Sequence, residues 1–216
     1  MVAPIKTDST QAETRQQLLQ AAGEVFAQVG FRAATVRAIC ERAGANIAAV
    51  NYHFGDKEKL YLEVLRFTQE AALKKYPTDL GLKKGASAEL RLKAFIRSFL
   101  FRIFDEGPIA WHGKLMSREM IEPTAALDAL VDEKIRPQAA QLSSIIRELL
   151  GAGATAQHAK LCGMSVVSQC VFYHHCRPVV ARLFPEQKFS PDEVEALAEH
   201  IAAFSLAAIK QLSKKK

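Results

Sequence analysis

Apolar residues recur every three to four positions along almost the whole chain, and no useful stretch alternates with the two-residue period of a β-strand. The Thr-Gln-Ala-Glu run that starts at Thr10 predicts a capping box at the start of a first helix. Gly30 is expected to end that helix. Its apolar positions are Leu18, Leu19, Ala22, Val25, Phe26 and Val29. The pattern predicts an all-α fold.

Two short helices and a longer one are predicted to follow. Thr35 and Asn46 have side chains that cap helix N-termini, and each precedes a run of about eight residues that a glycine ends, Gly44 and Gly55 respectively. Asp56 is expected to cap the fourth helix. The tight connection at Gly44 predicts a helix-turn-helix within the first 55 residues.

Helical periodicity returns after a polar, glycine-containing connector at residues 77–87. Pro137 is expected to break or kink the longest of these helices. The last two helices have apolar stripes wider than one buried face requires, which predicts burial against a second copy of the chain. The predicted helices occupy residues 86–105, 109–120, 124–150, 156–177 and 191–212.

Composition adds little to the functional prediction. The 216 residues carry a net charge of +6 with a pI near 9.2, a weak and diffuse indication of a polyanionic partner. No apolar run reaches the ~18 residues of a membrane span, and residues 1–14 resemble no signal peptide, so we expect a cytoplasmic protein. The cysteines show no ligand spacing and are expected to be buried fillers rather than redox sensors. They are Cys40, Cys162, Cys170 and Cys176.

The third predicted helix contains side chains suited to the DNA major groove. Ala48 and Ala49 permit close backbone approach, and their methyl groups can pack on a thymine methyl. Asn51, one turn later, can pair bidentately with adenine. Tyr52 and His53 can donate hydrogen bonds to phosphate oxygens. Taken singly, an aromatic or histidine here is as well explained by core packing, and we expect the next aromatic residue, Phe54, to be buried.

Neighbouring residues extend this group. Thr35 suits a phosphate contact and Arg37 a guanine contact from the groove edge. Lys57 combines its charge with the free N–H groups of a helix N-terminus, a ready phosphate site. Asn46 belongs to the same surface, although capping alone explains it. The individual residues have ordinary structural explanations, but their combination after a glycine turn predicts a DNA-reading helix.

Several motifs recur in the run from Thr14 to Leu65: R-x-x-L-L-x-A-A-x-x-x-F at 15–26, G-F at 30–31, T-V-R-x-I at 35–39, A-G-x-N at 43–46 and Y-H-F-x-x-K at 52–57. With these motifs the first 65 residues resemble the TetR family of bacterial transcriptional regulators, and the second half resembles the subgroup with a CerR-type C-terminal domain. The resemblance implies a DNA-binding domain at 1–57 and a larger helical effector-binding and dimerisation domain at 58–216. It also implies a homodimer that represses transcription from a palindromic operator until a small molecule releases it.

Carried over by position, Thr35, Tyr52, His53 and Lys57 fall on phosphate-contacting positions of that family. The base-facing positions are Arg37, Ala48, Ala49 and Asn51. Many members have a second aromatic residue in place of Asn51, so the groove contacts at that position are expected to differ. The resemblance also places a four-helix dimer interface in the last two helices, about 156–177 and 191–212.

Candidate effector contacts are apolar and aromatic side chains with a few polar anchors, the usual composition of a small-molecule site. They are Trp111, His112, Met116, Met120, Phe172, Tyr173 and His175. Core packing explains each of them equally well.

Adjacent His174, His175 and Cys176 point about 100° apart on a helix, so we expect no metal site. No catalytic motif and no cofactor motif is found, so an enzyme is not expected. A non-specific DNA-organising protein of the same fold is the alternative.

Overall fold

The computed structural model describes residues 7–106 and 111–214, with side chains from residue 11 onward. Within these ranges every regular element is a helix, which confirms the all-α prediction. Contacts group the chain into two compact units. The first unit contains residues up to Ala71 together with Trp111–Val131, and the second contains the remainder. The domain boundary expected between residues 57 and 58 separates a DNA-binding domain from an effector-binding domain. It does not coincide with the boundary between the two contact units, and it stays a prediction.

The helices are numbered in chain order, and a π-helical turn at Val131–Ile135 separates α7 from α8. They are α1 (Thr7–Ala33), α2 (Val36–Ala43), α3 (Ile47–Phe54), α4 (Lys57–Lys75), α5 (Ala88–Phe104), α6 (Trp111–Ile121), α7 (Ala126–Leu130), α8 (Arg136–Leu150), α9 (Ala156–His175), α10 (Arg177–Leu183) and α11 (Pro191–Ser213).

Helix α1 differs from its prediction at one end and agrees at the other. It begins at Thr7, so the predicted start at Thr10 is wrong. Residues 7–10 read Thr-Asp-Ser-Thr, and all of these residue types cap helices, so local chemistry does not single out one of them. Gly30 ends the regular helix as predicted, with φ of 81°, and a short helical segment continues to Ala33.

The first unit has its core between α1, α2, α3, α4 and α6. The rings of Phe26 and Tyr61 meet edge to face with centroids 4.8 Å apart, and both side chains are fully buried. Gly23 on α1 faces the ring of Trp111 on α6, and a Cβ at Gly23 would lie 2.1 Å from that ring. The two helices therefore approach each other as closely as a glycine permits.

The second unit is built from α5, α8, α9 and α11, which share one apolar core. The most deeply buried side chains include Leu92, Ile96, Leu100, Ile145 and Ile146. Each belongs to a stripe with helical spacing, and burying such stripes against one another is the main stabilising contribution to a helical domain.

The predicted break near Pro137 is confirmed, and it takes the form of the π-helical turn directly before α8. Proline has no N–H and crowds the carbonyl four residues earlier, which here belongs to Glu133 inside that turn. The sequence did not predict α10, a seven-residue helix with Pro178 in its first turn.

Three cysteines are buried and Cys176 is partly exposed, and all four are free. The prediction that they fill apolar space is thus confirmed for Cys40, Cys162 and Cys170. Burial raises the pKa of these three thiols. Among the described residues, no helix combines the length and the hydropathy that crossing a bilayer requires.

Candidate nucleic-acid interface

Caps at both ends fix α2 and α3 as short, well-defined helices. The Thr35 hydroxyl accepts a hydrogen bond from Ala38 N at 3.1 Å, and Asn46 Oδ1 accepts one from Ala48 N at 3.0 Å. Gly44 ends α2 in the left-handed conformation with φ of 63°, which only glycine adopts readily. These caps satisfy backbone groups that an eight-residue helix would otherwise leave exposed, and they confirm the predicted helix-turn-helix boundaries.

Helix α3 packs through one face and leaves the other open. Val50 is fully buried and Phe54 is 7% exposed, as predicted for Phe54. Ala48, Asn51 and Tyr52 lie on the opposite side, and Tyr52 is 71% exposed. Since residues three and four apart share a helical face, the apolar spacing that anchors α3 also directs these polar and small side chains outward.

The nine residues predicted to contact DNA lie on α3, at its cap and at the N-terminal ends of α2 and α4. Six are exposed, and Ala49, His53 and Lys57 are partly buried. Their DNA contacts stay a prediction. The full set is Thr35, Arg37, Asn46, Ala48, Ala49, Asn51, Tyr52, His53 and Lys57.

Lys57 has a structural role that the sequence did not indicate. Its Nζ donates to the carbonyl oxygens of Phe31 and Ala34, each at 3.1 Å, and lies 4.5 Å from the centroid of the Phe31 ring. An ammonium group has three donors, so one remains for a phosphate oxygen. Lys57 therefore closes the end of α1 while presenting part of its charge outward.

Other contacts hold the outward side chains in place. Arg37 pairs with Glu41 on the same helix at 2.9 Å, and both side chains are exposed. The rings of Tyr52 and His53 meet edge to face at 4.9 Å. Ile47, in the first turn of α3, is 51% exposed and was missed by the sequence analysis. The signal available in the sequence was a large apolar residue directly after the predicted cap Asn46.

Most of the positive charge around this surface is already paired. Five of the seven Lys and Arg residues between positions 11 and 71 lie within ion-pair distance of a carboxylate. They are Arg15, Arg37, Arg42, Lys59 and Arg66. Asp56 also accepts a backbone hydrogen bond from Lys59 N at 2.7 Å, which lowers the pKa of its carboxyl. The surface is thus polar rather than strongly basic.

A buried hydrogen bond connects α4 to α6 in the first unit. Tyr61 Oη donates to Glu119 Oε1 at 2.7 Å, and Thr124 donates to the same carboxylate through its N and its hydroxyl. Burial, followed by this hydrogen bond, raises the pKa of Tyr61. A cavity of about 110 Å³ adjoins the pair and is also lined by Gly30 and Arg118. Sequence periodicity marks Tyr61 as apolar core and gives no sign of its partner.

The candidate effector residues fall in two groups. Trp111, His112, Met116 and Met120 lie on α6 in the first unit, where His112 is buried and Met120 is half exposed. The other three lie on α9 in the second unit, and that group consists of Phe172, Tyr173 and His175. An effector site formed by these residues stays a prediction.

Neighbouring histidines on α9 are oriented as adjacent helical residues should be. The rings of His174 and His175 are nearly perpendicular, with centroids 5.8 Å apart. Burial, together with the nearby charges of His175 and Arg177, lowers the pKa of His174 to about 4. No group of three His, Cys, Asp or Glu side chains in the described part of the chain is arranged to hold a metal ion.

Two short capped helices joined by a glycine turn, with the second exposing one face, define the helix-turn-helix class of DNA-binding proteins. Family models identify the family. Residues 18–64 match the model for bacterial regulatory proteins of the tetR family, and residues 88–209 match the C-terminal domain of the HTH-type transcriptional dual regulator CecR. The chain belongs to the TetR family of transcriptional regulators. The C-terminal domain takes its name from CecR, which corrects the name CerR expected from the sequence.

Individual relatives agree with this placement. CecR of Shigella flexneri is 29% identical over 150 residues, which cover 66% of this chain and 67% of CecR. The transcriptional repressor AcnR of Corynebacterium efficiens is 40% identical over 62 residues, 29% of this chain and 33% of AcnR. A transcriptional regulator from Pseudomonas aeruginosa PAO1 shares the fold with a TM-score of 0.69, 19% identity and coverage of 95% of both chains.

Proposed function

We propose that this TetR-family regulator is a repressor that binds a palindromic operator as a homodimer and is released by a small-molecule effector. Each α3 enters the major groove of one half-site, and the two half-sites lie about one helical turn or somewhat more apart. The effector acts by favouring a dimer geometry in which the two α3 helices no longer match the half-sites.

The outward face of α3 is the observation that carries this proposal. It combines small side chains that permit close approach, Ala48 and Ala49, with Asn51, whose amide can pair with adenine. Tyr52 and His53 lie next to them in the sequence and can donate hydrogen bonds to phosphate oxygens. No packing requirement explains the polar residues, because the apolar contacts of α3 are made by Val50 and Phe54 on its other side.

Exposed apolar side chains on α9 and α11 support the dimer. Phe204 is 60% exposed on α11, and exposed alanines surround it at positions 203, 207 and 208. On α9, Leu161, Met164 and Phe172 are each more than half exposed and recur at helical spacing. Apolar stripes of this extent, rich in small residues and free of charge from 201 to 209, suit close packing of helices across a two-fold axis.

The ion pairs of the first unit favour a sequence-specific reader over a DNA-organising protein. Binding without sequence preference rests on release of counterions by many Lys and Arg side chains. Here most of these side chains have a carboxylate partner. The free energy of binding must then come to a larger extent from base contacts.

Selection of random duplex DNA on the purified protein at ~0.15 M salt tests the proposal, because sequence-independent binding weakens as salt rises. We expect a palindromic consensus with two half-sites. The matched control is Ala48→Glu, which places a negative charge on the outward face of α3 without touching its core and should enrich no sequence.

Each result has a distinct meaning. Binding without a consensus would favour the DNA-organising alternative. A single, non-repeated half-site would contradict the homodimer. A consensus that Ala48→Glu selects equally well would mean that another surface reads the DNA.

A further inference from the structure

A single arginine in the core of the second unit lacks a counter-charge. Arg102 on α5 is only 3% exposed. Its Nε donates to Ser98 O at 3.3 Å, and its Nη1 donates to Gln138 Oε1 at 2.7 Å. The guanidinium carbon lies 5.4 Å from the centroid of the Phe99 ring. The remaining nitrogen, Nη2, is buried and has no hydrogen-bond partner. The three groups that these contacts join to the cation, a backbone carbonyl, an amide oxygen and an aromatic ring, are all neutral.

The charge is present at neutral pH. Burial lowers the pKa of the Arg102 guanidinium to about 10, so it remains protonated at pH 7. The neighbouring thiol of Cys170 does not neutralise it, because burial raises the pKa of Cys170 to about 12. Among the described side chains, no carboxylate forms an ion pair with Arg102, whereas Arg97, five residues earlier on α5, pairs with Glu195 at 2.6 Å.

A buried, unpaired cation is costly, and proteins rarely keep one without a partner. Guanidinium groups bind carboxylates and phosphates through two parallel N–H···O hydrogen bonds. In Arg102, Nη2 is free for one of these bonds and Nη1 is occupied by a neutral amide oxygen. One of the two nitrogens that would bind an anion is therefore already available.

Gln138 occupies the Nη1 side of this fork. It is partly exposed on α8, and its Nε2 donates to Lys134 O in the π-helical turn at 2.9 Å. An oxygen that replaced Gln138 Oε1 would find Nη1 and Nη2 together. The face of Phe99 and the apolar core beyond it favour a hydrocarbon or aromatic body attached to that oxygen.

We propose that Arg102 anchors an anion site, and that the effector is an organic anion whose carboxylate or phosphate binds both Nη atoms and displaces Gln138. This inference names the ligand class of the proposed repressor and in that respect rests on the proposed function. The anion site itself is independent of DNA binding.

Calorimetric titration of the full-length protein tests the site. The anionic probes are benzoate, octanoate and octyl phosphate, and the neutral controls are benzyl alcohol and octanol. We expect saturable binding of at least one anion and none of either alcohol. Arg102→Met should weaken that binding by about 30-fold or more, the effect of removing one partner of a buried charge pair. Arg97→Met, on the exposed side of the same helix, should leave it unchanged.

Thermal stability without ligand is the second measurement. Because Arg102 carries an uncompensated charge, Arg102→Met should leave the melting temperature unchanged or raise it. Gln138→Glu places a carboxylate where the amide oxygen now lies, so it should raise the melting temperature and prevent anion binding. Gln138→Met, which also loses the bond to Lys134, controls for that loss.

Three results would overturn the anion site. They are absence of binding by every anion, equal binding by Arg102→Met, and a fall in melting temperature in Arg102→Met larger than that in Arg97→Met. Anion binding without release of the selected operator DNA would instead retain the site and refute the effector role. A selected operator without any anion binding would leave the proposed function in place and remove this inference.

Discussion

Replacing Tyr61 by phenylalanine removes one hydroxyl and leaves the ring that packs on Phe26. That hydroxyl donates to the carboxylate of Glu119, which is 1% exposed. A hydrogen bond to a charged group contributes about 1.5–3 kcal/mol to stability. Thr124 still donates to Glu119 from N at 3.1 Å and from its hydroxyl at 3.1 Å, so the carboxylate keeps part of its compensation. We therefore expect a loss of about 2 kcal/mol rather than the upper limit.

The assay uses the single tryptophan of the chain. Trp111 belongs to the first unit, so its fluorescence reports unfolding of the unit that contains the Tyr61–Glu119 hydrogen bond. A loss of about 2 kcal/mol corresponds to a fall in melting temperature of roughly 4–8 °C for a chain of this length. Tyr52→Phe is the matched control, because its hydroxyl is on an exposed side chain and makes only a 3.5 Å contact with Gln11.

A fall of less than about 1 °C in Tyr61→Phe would refute the reasoning, because changes within ±0.5 kcal/mol are typical of surface substitutions. It would mean that Glu119 is fully satisfied by Thr124. An equal fall in both variants would mean that the loss of any tyrosine hydroxyl accounts for the effect.

Three further predictions concern DNA, assembly and pH. Asn51→Ala should weaken operator binding by about 1–3 kcal/mol and relax preference at one base step, measured by titration against single-base operator variants; unchanged affinity and preference would contradict its groove position. Phe204→Asp should convert a particle of twice 23.8 kDa into one of 23.8 kDa in sedimentation, and a dimer that persists would place the interface elsewhere. Because the pKa of His174 is lowered to about 4, the unfolded chain takes up this proton first, and the stability that His174 contributes above pH 6.5 is lost as pH falls towards 4. Across that range the melting temperature of His174→Gln should change less with pH than that of the native protein. The melting temperature of His175→Gln should change with pH as much as that of the native protein.

Local chemistry explains why the helix-turn-helix was predictable. Thr35 and Asn46 cap helices through hydrogen bonds to residues two or three positions ahead, and Gly44 supplies a backbone conformation that other residues avoid. Such signals depend on neighbouring residues alone. The same reasoning was wrong for the start of α1, where several capping residue types stand side by side, and it missed the seven-residue α10.

The residues that sequence analysis missed depend on contacts between distant parts of the chain. Glu119 meets Tyr61 across 58 positions, and Arg102 meets Gln138 across 36. In the sequence Glu119 and Arg102 look like solvated charges on amphipathic helices, because a charged side chain is normally exposed. Only the packing shows that both are buried, that Glu119 is stabilised by hydrogen bonds and that Arg102 has no carboxylate partner among the described side chains.

The contact between Gly23 and Trp111 constrains how this protein can vary. A methyl group at position 23 has no room while the indole ring is present, so Gly23→Ala should be tolerated poorly in the native background and better beside Trp111→Leu. In a library that randomises both positions, functional clones should pair a small residue at one site with a large one at the other. The two positions, 88 residues apart in sequence, would then vary together rather than independently.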